Sequence, residues 1–328
     1  MKIQDVQGLI GNTPVVFLEK YKGAEIWLKL EGYNLTGSLK DRTAQRLVSE
    51  LEKSKKLARG MRILGPSSGS FAVALAMQAC LHGYDATVVV NSKISGGNLK
   101  ILERLGTEII RYGKVSRESM EYCEQLMREH PGMYAYADQL NDPAAVQAHY
   151  DTTAPEILRD MPTVSAVVAS MGSGATLLGV SSFFRDNGKS NIKVIASIAV
   201  PGDRKKITGT YSPGVDYETP FIKTLHSEKL LAVEIPVLFD TSKKFLMELA
   251  KRGFFVGQQT GGVYDAARQA IDTLNLSGPI VLISGDTGFK WLPPDLESVR
   301  LLRIKARMLK PFQSLLAPMR VVPDRKTD

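Results

Sequence analysis

The chain has 328 residues, 44% hydrophobic and 23% charged, a composition that excludes disorder and leaves room for two domains or one large one. No apolar run reaches membrane-spanning length and "MKIQDVQGLI" lacks the core of a signal peptide, so the reading is a cytoplasmic protein with no membrane partner. The net charge of +8 gathers largely beyond Phe289 rather than across a domain face, which argues against a nucleic-acid partner.

Near the start, "AEIWLKLEG" reads as a strand, and "NLTGSLKDRT" then sets Lys40, Asp41 and Arg42 behind a Thr-Gly-Ser turn. On spacing alone Lys40 is either a surface lysine beside a solvated Asp41–Arg42 pair or an amine held for a Schiff-base cofactor. From Met61 to Asp138 strands alternate with helices: "MRILGP", "SFAVALAMQACLHG", "DATVVVN", "GGNLKILERLG", "TEIIRYG", "VSRESMEYCEQLMREH", "MYAYAD". Such alternation builds βαβ units around a parallel sheet. The loop from Gly65 offers Ser67, Ser68 and Ser70 beside backbone amides, either as a helix-capping cluster or as a seat for a carboxylate or phosphate.

The stretch "QLNDPAAVQAHYDTTAPEI" shows no clear apolar period, which predicts a crossing between lobes near Asn141. A second α/β series follows in "VSAVVAS", "NIKVIASIAV", "TSKKFLMELAKRG", "VYDAARQAIDTLN" and "PIVLISGD". Between its first strand and helix, "SMGSGATLLGV" places Gly172 and Gly174 where amides and a helix dipole can cradle a phosphate, or where a plain turn suffices. After the last strand, Asp286 and Thr287 stand where open α/β sheets bind ligands, with an ordinary capped turn as the alternative. Cys80 and Cys123 read as buried small hydrophobes, and the four histidines have no metal-ligand spacing. In the tail, Val299, Leu302, Ala306 and Leu309 recur at helical intervals, predicting a docked amphipathic helix with a basic outer face.

The motifs "GLIGNTPVVFLE", "WLKLEGYNLTGSLKDRTA", "PSSGS", "QLNDPAAVQAHYDTTAPEI", "GSGAT" and "DTGFKWL", from Gly8 to about Leu292, resemble in order and spacing the cysteine synthase family, pyridoxal-phosphate enzymes of fold type II. That resemblance implies an α/β fold of two lobes, each a mainly parallel sheet flanked by helices, with pyridoxal 5'-phosphate in the cleft between them. The larger lobe would comprise 1–42 and 146–328, and the smaller, mobile one 43–145. Lys40 would carry the cofactor; Gly172, Ser173, Gly174, Ala175 and Thr176 would bind its phosphate; Thr287 would meet the pyridine nitrogen. Ser67, Ser68 and Gly69, helped by Gln139, would hold the substrate carboxylate.

Where the family has Asn then Thr, this chain has Ser70 and Phe71, and the family's Ser-Ser-Gly-Ala stretch appears as "QQTGG". The shorter Ser70 takes the position of the asparagine that reaches the cofactor's ring oxygen. The implied activity is β-replacement on O-acetyl- or O-phospho-L-serine through an α-aminoacrylate, in a homodimer acting on small molecules. The product is cysteine or another β-substituted alanine. The alternatives are a dehydratase-type lyase, against which "GSLKDR" speaks, and a non-catalytic relative. The run Arg204, Lys205, Lys206 either attracts a phosphorylated donor at the cleft entrance or is solvated surface.

Overall fold

The computed structural model describes residues 3–92, 94–203, 205 and 207–291. The expected tail helix, Arg204 and Lys206 lie outside the described residues. Residues 1–291 form one compact unit. Its elements in chain order are β1 (Val15–Tyr21), β2 (Ala24–Leu30), α1 (Lys40–Lys53), β3 (Arg62–Pro66), α2 (Ser70–His82), β4 (Asp85–Val90), α3 (Gly96–Arg104), β5 (Glu108–Arg111), α4 (Ser116–Glu129), β6 (Tyr134–Tyr136), α5 (Ala144–Ala148), α6 (Ala154–Asp160), β7 (Ala166–Ser170), α7 (Ala175–Asp186), β8 (Lys193–Ala199), α8 (Pro220–Ser227), β9 (Val233–Val237), α9 (Phe239–Lys251), α10 (Gln258–Leu274) and β10 (Gly278–Ser284).

Six strands form one sheet in the order β1-β2-β10-β7-β8-β9, and four form a second in the order β5-β4-β3-β6. All pair in parallel except β1 with β2. The hairpin joining those two turns on Lys22 and Gly23, both at positive φ (46° and 86°), the backbone that matches strand twist in a two-residue loop.

In the large sheet alternate residues face opposite layers. Val167, Ala169, Val281 and Ile283 pack on the side of α6, α7 and α8, while Ala166, Val168, Ile280 and Leu282 pack against α10. Strands buried on both faces read as continuous apolar runs, which is why they stood out in the sequence. In the small lobe, α1 presents Ala44, Leu47, Val48 and Leu51 at helical spacing to α2 and to Ile63, Val88 and Val90 of the sheet. Each large apolar side chain buried there contributes about 2 kcal/mol.

The structure supplies two elements that the sequence left unassigned and corrects one reading. The "QLNDPAAVQAHYDTTAPEI" stretch is helical through α5, a π-turn at His149–Thr153 and α6. The wider turn rotates the buried face, so no single 3.6-residue period fits. Strand β9 was not anticipated; it tolerates Pro236 because it lies at a sheet edge. Cys80 is exposed, not buried. It closes a helix apolar nearly all round, whose pattern gives no inward direction.

Candidate active site

Strands β2 and β10 end side by side, Leu30 paired with Ser284. Beyond them the 34–39 turn is tied to the end of β10: Leu39 N donates to Gly285 O (2.9 Å) and Thr287 N donates to Gly37 O (3.1 Å). Asp41 folds back to accept from Thr36 N (2.9 Å) and Thr36 Oγ1 (2.8 Å), fixing the turn that delivers Lys40 to the start of α1. Lys40 keeps part of its surface open, yet the surrounding protein desolvates its amine and draws the pKa down to about 8.

Asp41 and Arg42 are not a solvated pair; both are buried. Arg42 makes bidentate contacts to Glu31 (Nε–Oε2 2.7 Å, Nη2–Oε1 2.8 Å) and to Glu156 (Nη1–Oε1 2.7 Å, Nη2–Oε2 2.8 Å). Lys29 Nζ donates to Glu156 Oε2 at 2.8 Å, and Thr13 Oγ1 to Glu31 Oε1 at 2.6 Å. Desolvation opposes these carboxylates' charge, but the Arg42 guanidinium outweighs it, lowering both pKa values, Glu156 to about 2. Two cations face two anions, so the first turn of α1 is clamped to β2 and α6 without net charge.

The glycine loop follows β7. Gly174 caps α7 at φ +86° with no side-chain cap, so the helix start offers backbone amides. A Cβ on Gly172 would stand 2.7 Å from Gly209 O, which only a glycine permits. Ser173 O accepts from Thr219 Oγ1 (2.6 Å), and Ser173 Oγ accepts from Ala175 N (3.3 Å). His149 joins this loop to α1: its Nε2 lies 3.2 Å from Thr176 Oγ1 and 3.4 Å from Thr43 Oγ1, and its Nδ1 2.9 Å from Thr153 Oγ1. Burial, then the nearby Arg42 and Lys40 charges, hold the ring neutral, with a pKa lowered to about 3.

At the end of the four-stranded sheet the serine loop follows β3. Ser67 Oγ accepts from Gly69 N (3.2 Å) and Ser68 Oγ from Asn91 N (2.7 Å). Gly69 precedes α2 without a side-chain cap, and Ser70 is the first helical residue. Gln139 sits in a turn organised by Asp138, whose carboxylate accepts from Leu140 N and from Asn141 N and Nδ2 (2.9, 3.2 and 2.8 Å). Ala137 N donates to Leu64 O (2.8 Å), which sets this turn beside the serine loop.

A family model described as pyridoxal-phosphate dependent enzyme matches residues 6–286. The chain belongs to that family. It is 31% identical over 291 residues to cysteine synthase B of Escherichia coli, covering 86% of this chain and 92% of that one. Among solved structures it is similar to a hydrogen sulfide-producing enzyme of Fusobacterium nucleatum (TM-score 0.81, 26% identity, 89% of this chain and 99% of the other). It is similar also to an O-acetylserine dependent cystathionine beta-synthase of Helicobacter pylori (TM-score 0.80, 25% identity, 89% and 98%). The protein is a pyridoxal-phosphate enzyme of β-replacement type.

The residues of this pyridoxal-phosphate enzyme fit the cofactor: an uncapped helix start behind glycines that a Cβ would obstruct suits its phosphate, and a desolvated, partly neutral Lys40 suits its carbonyl. The structure links Lys40 to the Gly172–Thr176 loop through His149 and gathers Ser67, Ser68, Gly69 and Gln139 at the end of the small sheet. Thr287 Oγ1 accepts from Phe289 N (3.4 Å), and its methyl group would meet a Cβ on Gly37 at 2.9 Å, so it borders the Lys40 turn. Phe71 points away into the small-lobe core at 1% exposure. Lys205 Nζ stands 5.7 Å from the Phe239 ring centroid.

Glu31, Glu156 and His149 were not singled out as site residues. The carboxylates lie 11 and 114 residues from Arg42, and no local pattern announces such a pairing. His149 falls within a quoted motif, the only signal available for it.

Proposed function

We propose that this enzyme replaces the acetoxy group of O-acetyl-L-serine with a sulfur nucleophile, sulfide foremost, giving L-cysteine and acetate. The observation that carries the reading is Lys40: a desolvated amine with a pKa near 8, opening a helix that His149 ties to the glycine loop. Bound there, pyridoxal phosphate supplies the electron sink that makes a substrate α-carbon acidic. Lys40 holds the cofactor carbonyl and then takes the α-proton. Gly172, Ser173, Gly174, Ala175 and Thr176 bind the phosphate, Ser70 and Thr287 border the ring, and Ser67, Ser68, Gly69 and Gln139 orient the substrate carboxylate. The α2 helix start compensates there for the hydroxyl that Phe71 does not supply.

Acetate is favoured as the leaving group because Lys205 is engaged with Phe239, and because relatives of this fold include an O-acetylserine dependent enzyme. We place the protein in the cytoplasm as a homodimer, a reading supported by exposed Phe17 on the edge strand β1 and tested by light scattering. The deciding experiment supplies the holoprotein with sulfide and either O-acetyl- or O-phospho-L-serine and follows cysteine by mass spectrometry. Cysteine from the acetyl donor is expected; none from either donor overturns the activity, and faster turnover of the phosphorylated donor overturns the choice of leaving group.

A further inference from the structure

The 3-10 turn Gly288–Trp291 follows the end of β10 and adjoins both parts of the site. On one side, the segment before it is bonded to the lysine turn: Asp286 bridges Ser38, Leu39 N donates to Gly285 O, and Thr287 N donates to Gly37 O. On the other side, the 3-10 turn packs against α3, whose Asn98 Nδ2 donates to Ser68 O at 3.3 Å. Lys290 stands in this turn with its Nζ buried and without a hydrogen bond to any described residue. The buried Asp286 accepts from Trp291 Nε1 at Oδ2 (3.0 Å) and leaves Oδ1 buried and unpaired. Burial lowers the Lys290 pKa, and among the described residues the charges that oppose this are Asp286 and then Asp41. Burial likewise pushes Asp286 up to about 6 and Asp41 upward, and the Lys290 charge works against both shifts.

A buried ammonium persists beside opposite charge, and here it is locked to neither of two carboxylates. One of them ends the β10 strand. The other directly follows Lys40, and its bonds to Thr36 N and Oγ1 shape the turn that delivers that lysine. We propose that Lys290 is the positioning residue for Lys40: its ammonium, shared by Asp286 and Asp41, holds the start of α1 against the end of β10 and keeps the Lys40 amine withdrawn from water. With the ammonium in place Asp41 stays ionised and accepts from Thr36. Without it two buried carboxylates lose the cation they share, Asp41 takes up a proton or turns to solvent, and the turn it folds opens. Arg42 does not substitute, because its guanidinium is spent on Glu31 and Glu156. The inference deepens the reading of Lys40 as the cofactor lysine and rests on it for the consequence in turnover.

Lys290→Met removes the charge and keeps an unbranched side chain, whereas Lys290→Arg keeps the charge. In the apoproteins, competitive labelling with trace acetic anhydride across a pH series, read peptide by peptide by mass spectrometry, gives the pKa of the Lys40 amine, with the melting temperature measured beside it. Wild type should titrate near 8. Lys290→Met should titrate about one unit or more higher, nearer a solvated lysine, and Lys290→Arg within about 0.3 of wild type. In the holoproteins the Met variant should lose about tenfold in kcat with KM for O-acetylserine changed less than about twofold, the pattern of a misplaced group rather than of lost binding. A Lys40 pKa in Lys290→Met equal to that of wild type overturns the inference whether or not the melting temperature falls, since a purely structural lysine would move the melting temperature alone. A rise of the same size in Lys290→Arg overturns it too, because the charge would then not be what holds the turn. Wild-type Lys40 titrating at the ordinary lysine value would instead refute the desolvated amine on which the proposed function stands.

Discussion

At the lysine turn, the start of α1 is held by four charge-assisted bonds from Arg42, with Lys29 and Thr13 completing the cluster. At the serine loop, the hydroxyl oxygens of Ser67 and Ser68 accept backbone amides from Gly69 and Asn91, while Ser67 N donates to Val89 O and Asn98 Nδ2 to Ser68 O. A buried, fully paired ionic cluster is rigid because any displacement strands a charge in a medium that cannot solvate it. A loop held by neutral hydrogen bonds exchanges a side-chain bond at about 1 kcal/mol apiece. The departures from the resembled family, Ser70 and Phe71, fall on that second side. The lysine turn is thus built into the framework, while the serine loop is held by weaker neutral bonds, with Phe71 beside it fixed in the core.

The contrast is broken most severely at Lys40. Lys40→Ala should lower turnover by roughly a thousandfold or more, and borohydride reduction should leave no cofactor on the chain; reduced cofactor on another lysine would refute the assignment. Because burial lowers this amine's pKa to about 8, cofactor uptake by the apoprotein should quicken with rising pH up to about 8 and then level, since only the neutral amine attacks a carbonyl. Uptake that is flat from pH 6 to 9 would show a different group to be limiting.

Next comes the ionic cluster. Arg42→Met should cost about 3–5 kcal/mol in urea denaturation, because it leaves Glu31 and Glu156 buried and unpaired. The folded-state carboxylates are depressed below their ordinary value of 4.5, Glu156 to about 2. Their stabilisation is therefore complete above 4.5 and is lost as pH falls from there through about 2, so circular dichroism should show acid unfolding in that window. In Arg42→Met that acid-side loss should shrink.

Two smaller changes sharpen the other side of the comparison. Phe71→Thr restores the hydroxyl of the family pattern but empties a core position, and should cost about 3 kcal/mol of stability without lowering KM for O-acetylserine. A fall in KM would place residue 71 at the substrate after all. Lys205→Ala should alter donor KM less than about twofold, since it gives up only a partly exposed contact with Phe239 worth ~0.5 kcal/mol.

Much of the fold was legible because its signals are local. Parallel strands buried on both faces spell themselves as runs such as "ATVVV" and "PIVLI", and the lysine turn and glycine loop each lie within ten residues. What stayed hidden depends on distance or on a broken period. Asp41 and Arg42 look like any exposed pair until Glu156 arrives from 114 residues away. The α5–α6 run concealed itself behind its π-turn, and β9 behind Pro236. Gln259 stands in the quoted "QQTGG", but its approach to the Gly285 position exists only once α10 and β10 meet.

That meeting has an order in time. The strand β10, last of the described strands in the chain, sits between β2 and β7. On a ribosome the four-stranded sheet is complete once Tyr136 has emerged, whereas the six-stranded sheet stays split into a hairpin and a ribbon until Ser284 follows. That is ~150 residues later, roughly 7–30 s of elongation. During that interval β2 and β7 each present an unpaired edge to solvent, the hazard that chaperones answer. A nascent chain released before Gly278 would lack the strand that joins β2 to β7 and would leave both edges open to aggregation.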